Sequence, residues 1–227
     1  SRIDDASNGA KEWASKKGYK EPDVIYGDTD SIFVKFSREL DGNLLKGKDA
    51  LKHCIQCGQE VGKYITKGIL KVEDEEGNLM EEEHEPLLNH PQDLEYEKTF
   101  YPFILISKKR YTGDKYELDH KKPKERTSMG IVMKRRDNAA IVKYVFGNVI
   151  EIIMHQKSID TAMEWLKNTL QKIKDGEISN SMFIISKSLR GYYKNPQQIA
   201  HKVLADRIAI RDPGNKPKAN DRIPYAY

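Results

Sequence analysis

Residues 24–34 read Val24-Ile25-Tyr26-Gly27-Asp28-Thr29-Asp30-Ser31-Ile32-Phe33-Val34. Apolar runs at 24–26 and 32–34 flank a Gly-Asp-Thr-Asp centre, which predicts two short strands joined by a tight turn, with Gly27 supplying the backbone freedom. Asp28 and Asp30 are two apart, so in extended geometry both carboxylates project to one side, where they repel unless a cation neutralises them. Hard oxygen donors of that kind suit Mg2+ or Mn2+. The plainer alternative is a solvated acidic turn, the usual meaning of Asp and Gly between strands.

The full string Tyr26-Gly27-Asp28-Thr29-Asp30-Ser31 with its apolar flanks is far more specific than a D-x-D pair. It resembles motif C of the family B DNA polymerases, the replicative polymerases of eukaryotes, archaea and large DNA viruses. The resemblance implies that Asp30 is a ligand of a two-metal site and that Asp28 supports it. Two later passages fall in the family's order. Lys108-Lys109-Arg110-Tyr111 resembles the K-x-Y element (Lys109, Tyr111) that meets the primer-template near the primer end. Cations there would neutralise phosphates, and the tyrosine would offer a flat face and a hydroxyl. Gly130 and Arg135-Arg136-Asp137-Asn138 resemble the passage from palm to thumb, with Val132 and Met133 where family members carry acidic or small residues. The strings Ile185-Ser186-Lys187-Ser188-Leu189 and Asp221-Arg222-Ile223-Pro224-Tyr225 look like the thumb of delta-type polymerases. The likeness covers the chain apart from 37–48, 73–92 and 116–127. The DNA-facing set it implies is Lys108, Lys109, Arg110, Tyr111, Arg135, Arg136 and Lys187.

With 227 residues, the chain can bury one substantial core or two small ones. Lys plus Arg number 39 against 35 Asp plus Glu, a net charge of +4. Residues 73–85 hold eight of those acids and no lysine or arginine, so the rest is much more basic than the total implies. A basic body with an acidic excursion suits a polyanion-binding surface. No apolar run is long enough to span a bilayer and no signal-peptide pattern opens the chain. We therefore expect an intracellular protein with no membrane association, acting in the nucleus or at a cytoplasmic viral replication site. Cys54 and Cys57 form one Cys-x-x-Cys within a helical pattern, with only His53 beside them, so they are expected to be reduced helix residues rather than a zinc or redox site. The first residue is not Met and the chain opens in mid-pattern, which is expected of a piece of a longer polypeptide.

Residues 4–17 carry Ala6, Ala10, Trp13, Ala14 and Lys17 at helical spacing, with Gly18 as a stop. A second helix should start with Asp49 as cap, present Leu51, Cys54, Ile55, Gly58, Gly62 and Ile65 to a sheet, and close at Gly68. Residues 73–92, dense in acid and with two prolines, are expected to form a mobile loop insertion. Residues 94–98 alternate like a strand and 101–107 read as a buried one. Glu95 and Glu97 share a face of the former; on composition they are two exposed glutamates. The resemblance places this segment beside motif C, where acids approach the metals and in some members hold a further ion. Basic residues concentrate again over 121–136. From Asn138 onward two antiparallel helices are expected, turning over at 155–158, then a short strand at 183–189. A helix capped by Asn195 and Pro196 should follow, to about Ile210, and then a closing loop.

The expected architecture is α+β: an antiparallel palm sheet with packed helices over residues 1–136, the second half of a palm, followed by a mainly helical partial thumb over 137–227. The implied activity is template-directed addition of a deoxynucleotide to a primer 3′ end by a two-metal mechanism using Mg2+, with Mn2+ as the alternative. Implied partners are primer-template DNA, deoxynucleoside triphosphates, a sliding clamp and the absent polymerase segments. Nothing in the chain resembles the first half of the palm, the fingers or the exonuclease, so it is expected to be incomplete for catalysis alone. Two other readings compete: a metal-dependent nuclease built on Asp28, Asp30, Glu95 and Glu97, and a non-catalytic duplex-DNA-binding module.

Overall fold

The structure is a computed structural model that describes residues 2–134 and 137–226. Its first helix, α1 (Arg2–Lys16), buries Ala6, Ala10, Trp13 and Ala14, the residues that recur every three or four positions. Gly18 in the left-handed conformation ends it, and the Tyr19 N–H returns to the Ala14 carbonyl. Two antiparallel hairpins follow, β1 (Asp23–Asp28) with β2 (Ser31–Lys35), and the very short β3 (Glu39–Leu40) with β4 (Asn43–Leu44).

Helix α2 (Gly47–Lys67) starts earlier than expected. Its N-cap is Lys46 with no side-chain cap bond, so Asp49 is not the cap but lies in the first turn, where a negative charge still favours the helix dipole. Gly68 (φ 69) closes it. The helix packs on α1 around Trp13, Val61, Tyr64, Ile65 and Leu70, and Tyr64 donates its hydroxyl hydrogen to Glu12 at 2.7 Å. A side chain such as Ile65, fully out of water, contributes about 2 kcal/mol. Gly58 and Gly62 do not face a sheet but let an extended segment lie against the helix. A Cβ on Gly58 would strike the Tyr96 ring at 2.6 Å, and one on Gly62 would meet the Leu94 carbonyl oxygen at 3.0 Å.

The first part of the 73–92 region expected as a mobile loop belongs to a hairpin, β5 (Ile69–Glu73) with β6 (Leu79–Glu83). Its turn is built by Asp74, whose carboxylate accepts the Glu76 and Asn78 N–H groups at 2.9 and 2.8 Å. The acids of β6 are exposed, yet the strand is held by its ladder and by the His84 N–H on the Gly68 carbonyl. Residues 94–98 show the expected alternation of burial but pair with no strand. Instead, Thr66 of α2 exchanges hydrogen bonds with the Leu94 backbone at 2.9 and 3.1 Å. Then β7 (Thr99–Ser107), β8 (Arg110–Tyr116) and β9 (Glu125–Met129) form a three-stranded antiparallel meander.

The chain divides into two compact units at Met129/Gly130. In the second, α3 (Ala140–Glu151) runs into a π-helical turn at Ile152–Gln156. Helix α4 (Ile159–Lys174) begins at Ser158, whose hydroxyl accepts the Thr161 N–H, and packs on α3 through Tyr144 and Trp165. Strand β10 (Ile185–Ser188) pairs with β11 (Arg222–Tyr225), so the tail expected as loop is a strand. Between them, Asn195 and Pro196 open only a 3-10 turn, and α5 (Ala200–Arg211) starts after Ile199, whose extended backbone separates the two. Leu189, Ala205 and Ile223 form the core here.

The described residues are thus α+β with antiparallel strands throughout. They form five small sheets rather than one, because each pairing is local except β10 with β11. None of the described helices is long and apolar enough to cross a membrane.

Candidate active site

The β1–β2 register pairs Asp28 with Ser31, which leaves Thr29 and Asp30 as a two-residue corner. Thr29 takes the positive φ (38°), not Gly27. Glycine at 27 instead lets α1 approach closely: a Cβ there would meet the Ile3 side chain at 3.0 Å. Asp30 falls in the corner and not on the strand, so the extended geometry from which a shared side was expected stops at Asp28.

Asp28 is tied down. Its carboxylate lies 3.4 Å from the Lys109 Nζ and accepts the Thr29 hydroxyl at 3.3 Å. Partial burial pushes its pKa up, but the Lys109 ammonium and hydrogen bonds from Lys109, Tyr26 and Thr29 outweigh that and hold it below the usual carboxylate range. Asp30 is exposed. It borders a cavity of about 360 Å3 lined by Ile3 and Ala6 of α1, Ser31 and Ile32 of β2, and the 91–94 segment with a second carboxylate, Asp93.

Lys108 and Lys109 form the corner between β7 and β8, with Ser107 opposite Arg110 and Lys109 left-handed at φ 59. Lys108, Lys109 and Arg110 are exposed. Tyr111 is only 8% exposed. Its ring packs on Phe33, Phe100 and Phe103 at 5.3 to 5.9 Å between centroids, and on Tyr26 at 6.3 Å. The ring is therefore enclosed by neighbouring aromatic side chains. Burial, with Tyr26, Glu97 and Asp28 nearby, raises the Tyr111 phenol. This aromatic cluster joins the β1–β2 hairpin to the β7–β8 hairpin and brings the acidic tip against the basic one.

Glu95 and Glu97 are exposed on one side of their segment, and Glu97 pairs with Lys98. Among the described residues no three His, Cys, Asp or Glu side chains form a group that could hold a metal. Asp28, Asp30, Glu95 and Glu97 are therefore not gathered into the cluster that a nuclease reading required. Asp30 stands exposed at the cavity rim, a hard oxygen donor of the kind divalent cations take. In the 121–136 segment Lys124 pairs with Glu117 and Arg126 with Asp114, so part of that basic concentration is neutralised within the sheet. Arg135 and Arg136 lie outside the described residues. Lys187 is exposed on β10 in the second unit, near enough to His201 to disfavour its protonation. Sequence reasoning passes over Tyr26 and Asp93. The two-residue spacing of Tyr26 and Asp28 on one strand is the available signal for the first.

Comparison with known proteins places the chain among DNA polymerases. It is 47% identical over 205 residues to the DNA polymerase of Pyramimonas orientalis virus, an alignment covering 90% of this chain and 15% of that protein. Over 213 residues it is 44% identical to the DNA polymerase of Acanthamoeba polyphaga mimivirus, covering 90% and 11%. It is 32% identical over 225 residues to the DNA polymerase delta catalytic subunit of Candida albicans, covering 98% and 19%. That last alignment is long enough to include the acidic hairpin. A profile of DNA polymerase family B matches residues 65–227. The chain belongs to DNA polymerase family B, with relatives in viruses and in eukaryotes. It spans less than a fifth of the length of these three relatives.

Proposed function

We propose that this chain supplies the second half of a polymerase palm, residues 1–136, and the base of the thumb, 137–227, to template-directed extension of a primer 3′ end. The observation that carries the reading is the division of labour at the acidic tip: Asp28 is neutralised by Lys109, while Asp30 stands exposed at a cavity rim. A separation into two units at Met129/Gly130 supports the palm and thumb division. Mg2+, or Mn2+, held by Asp30 and by carboxylates from the rest of the enzyme would lower the pKa of the primer hydroxyl and neutralise the triphosphate. The chain's own residues do the remaining work. Asp30 provides uncompensated negative charge, Asp28 and Lys109 fix the corner it stands on, and Lys108 and Arg110 face phosphate from the neighbouring turn. Partners under this reading are primer-template DNA, deoxynucleoside triphosphates, the remaining polymerase segments and a sliding clamp, inside the cell.

A primer-extension assay tests it. Residues 1–227 alone should extend no primer, and the same residues joined to the remaining palm and fingers should extend one. Extension by the isolated chain, or none by the joined polypeptide, would contradict the reading.

A further inference from the structure

Strand β1 sorts its last residues by face. Gly27 turns toward Ile3 of α1, where a Cβ would meet that side chain at 3.0 Å. Tyr26 and Asp28, on either side of it, project the other way, toward the β7–β8 corner. A register shift between Val24 and Tyr26, in which β1 carries one extra residue against β2, precedes this stretch. Such bulges re-aim side chains.

The Tyr26 hydroxyl has one hydrogen to donate and lone pairs to accept with. It accepts the backbone N–H of Lys109 at 3.0 Å, across 83 residues of sequence. Lys109 holds a left-handed φ of 59, which a residue with a Cβ adopts at a cost and keeps only when its surroundings fix it. From that backbone its ammonium returns to Asp28 at 3.4 Å. The contacts run in series from the Tyr26 hydroxyl through the Lys109 backbone and side chain to Asp28.

We propose that Tyr26 is a positioning residue, whose hydroxyl locks the basic β7–β8 corner to Asp28 so that the cationic and acidic tips act as one rigid part. The lock rests on this geometry alone; its catalytic consequence rests on the polymerase reading above.

Tyr26→Phe removes the hydroxyl and keeps the ring that packs on Phe33 at 5.1 Å. In the 227-residue chain, NMR should show amide exchange at Lys109 about tenfold faster relative to its β7 and β8 neighbours, as expected for the loss of one hydrogen bond. Phe33→Leu loosens the same aromatic cluster but keeps the hydroxyl, and should leave the Lys109 exchange in place. Unchanged Lys109 exchange in Tyr26→Phe, or an equal change in Phe33→Leu, would overturn the lock. In the complete polymerase, Tyr26→Phe should lower kcat several-fold with little change in KM for primer-template. A normal kcat beside a disrupted lock would overturn the positioning role and leave the polymerase reading standing. An inactive parent enzyme would remove the polymerase reading and leave the lock to the NMR result.

Discussion

Gly68 occupies the most demanding backbone position in the first unit. Its φ is 69, and a Cβ there would fall 1.8 Å from the His84 carbonyl oxygen. Gly68→Ala should therefore destabilise by more than about 2 kcal/mol, since strain and a backbone clash act together. Gly77→Ala, at φ 82 with open space around it, should cost about 1 kcal/mol from strain alone. Urea denaturation of the two variants checks the difference, and equal losses would mean that α2 and the His84 backbone do not touch. As a helix stop Gly68 is legible in sequence, because a glycine after a periodic run has that local meaning. Gly27 reads locally as a turn residue and is not one. Its close contact is with Ile3, a neighbour that no local pattern encodes, while the turn strain falls on Thr29. Tyr111 shows the same limit: its likeness to a DNA-contacting element is visible, but its burial among Phe33, Phe100 and Phe103 depends on two hairpins meeting.

Helices are more legible than strand pairings. The α1 and α4 patterns carry their own periodicity, whereas β10 and β11 find each other across a stretch of sequence that includes α5. Charge density also obscures the β5–β6 hairpin. Its strand signal, Leu70 and Val72 alternating before an Asp74 turn, is present but outweighed by the acids around it. Helix α5, packed against β11, carries a pH dependence. His201 is buried, stacked on Tyr225 at 6.0 Å, and within 3.0 Å of the Tyr193 hydroxyl. Burial lowers its pKa below the ordinary 6.5, and Lys187 and Arg190 lower it further. The unfolded chain then binds the proton more tightly than the folded one. This contribution to stability is full above about pH 6.5 and is lost as pH falls below it. Thermal unfolding from pH 7 to pH 5 should show a falling Tm that is flatter in His201→Gln; identical slopes would mean that His201 is not the group responsible.

Across the whole molecule, α+β content and antiparallel pairing follow from strand and helix periods. The breakup into five small sheets does not, because sheet assembly depends on which hairpin edges meet. DNA binding belongs to this scale. Lys108→Ala with Arg110→Ala should weaken primer-template binding regardless of sequence and shallow the log-affinity against log-salt slope by roughly one unit for each phosphate no longer neutralised. Replacing Glu81, Glu82 and Glu83 by Gln should leave that slope unchanged, because those acids lie exposed on β6. Anisotropy titrations at several salt concentrations distinguish the two. Tyr111 is a poor probe for this purpose, since its removal would disturb the aromatic cluster. The central claim is that Asp30 is the carboxylate that serves the metal and Asp28 the one that supports it. Single-turnover nucleotide addition by the complete polymerase tests that claim most directly. Asp30→Asn should slow the chemical step by orders of magnitude with DNA affinity nearly unchanged, and Asp28→Asn should slow it less. A near-normal rate in Asp30→Asn, or a larger loss in Asp28→Asn, would contradict it.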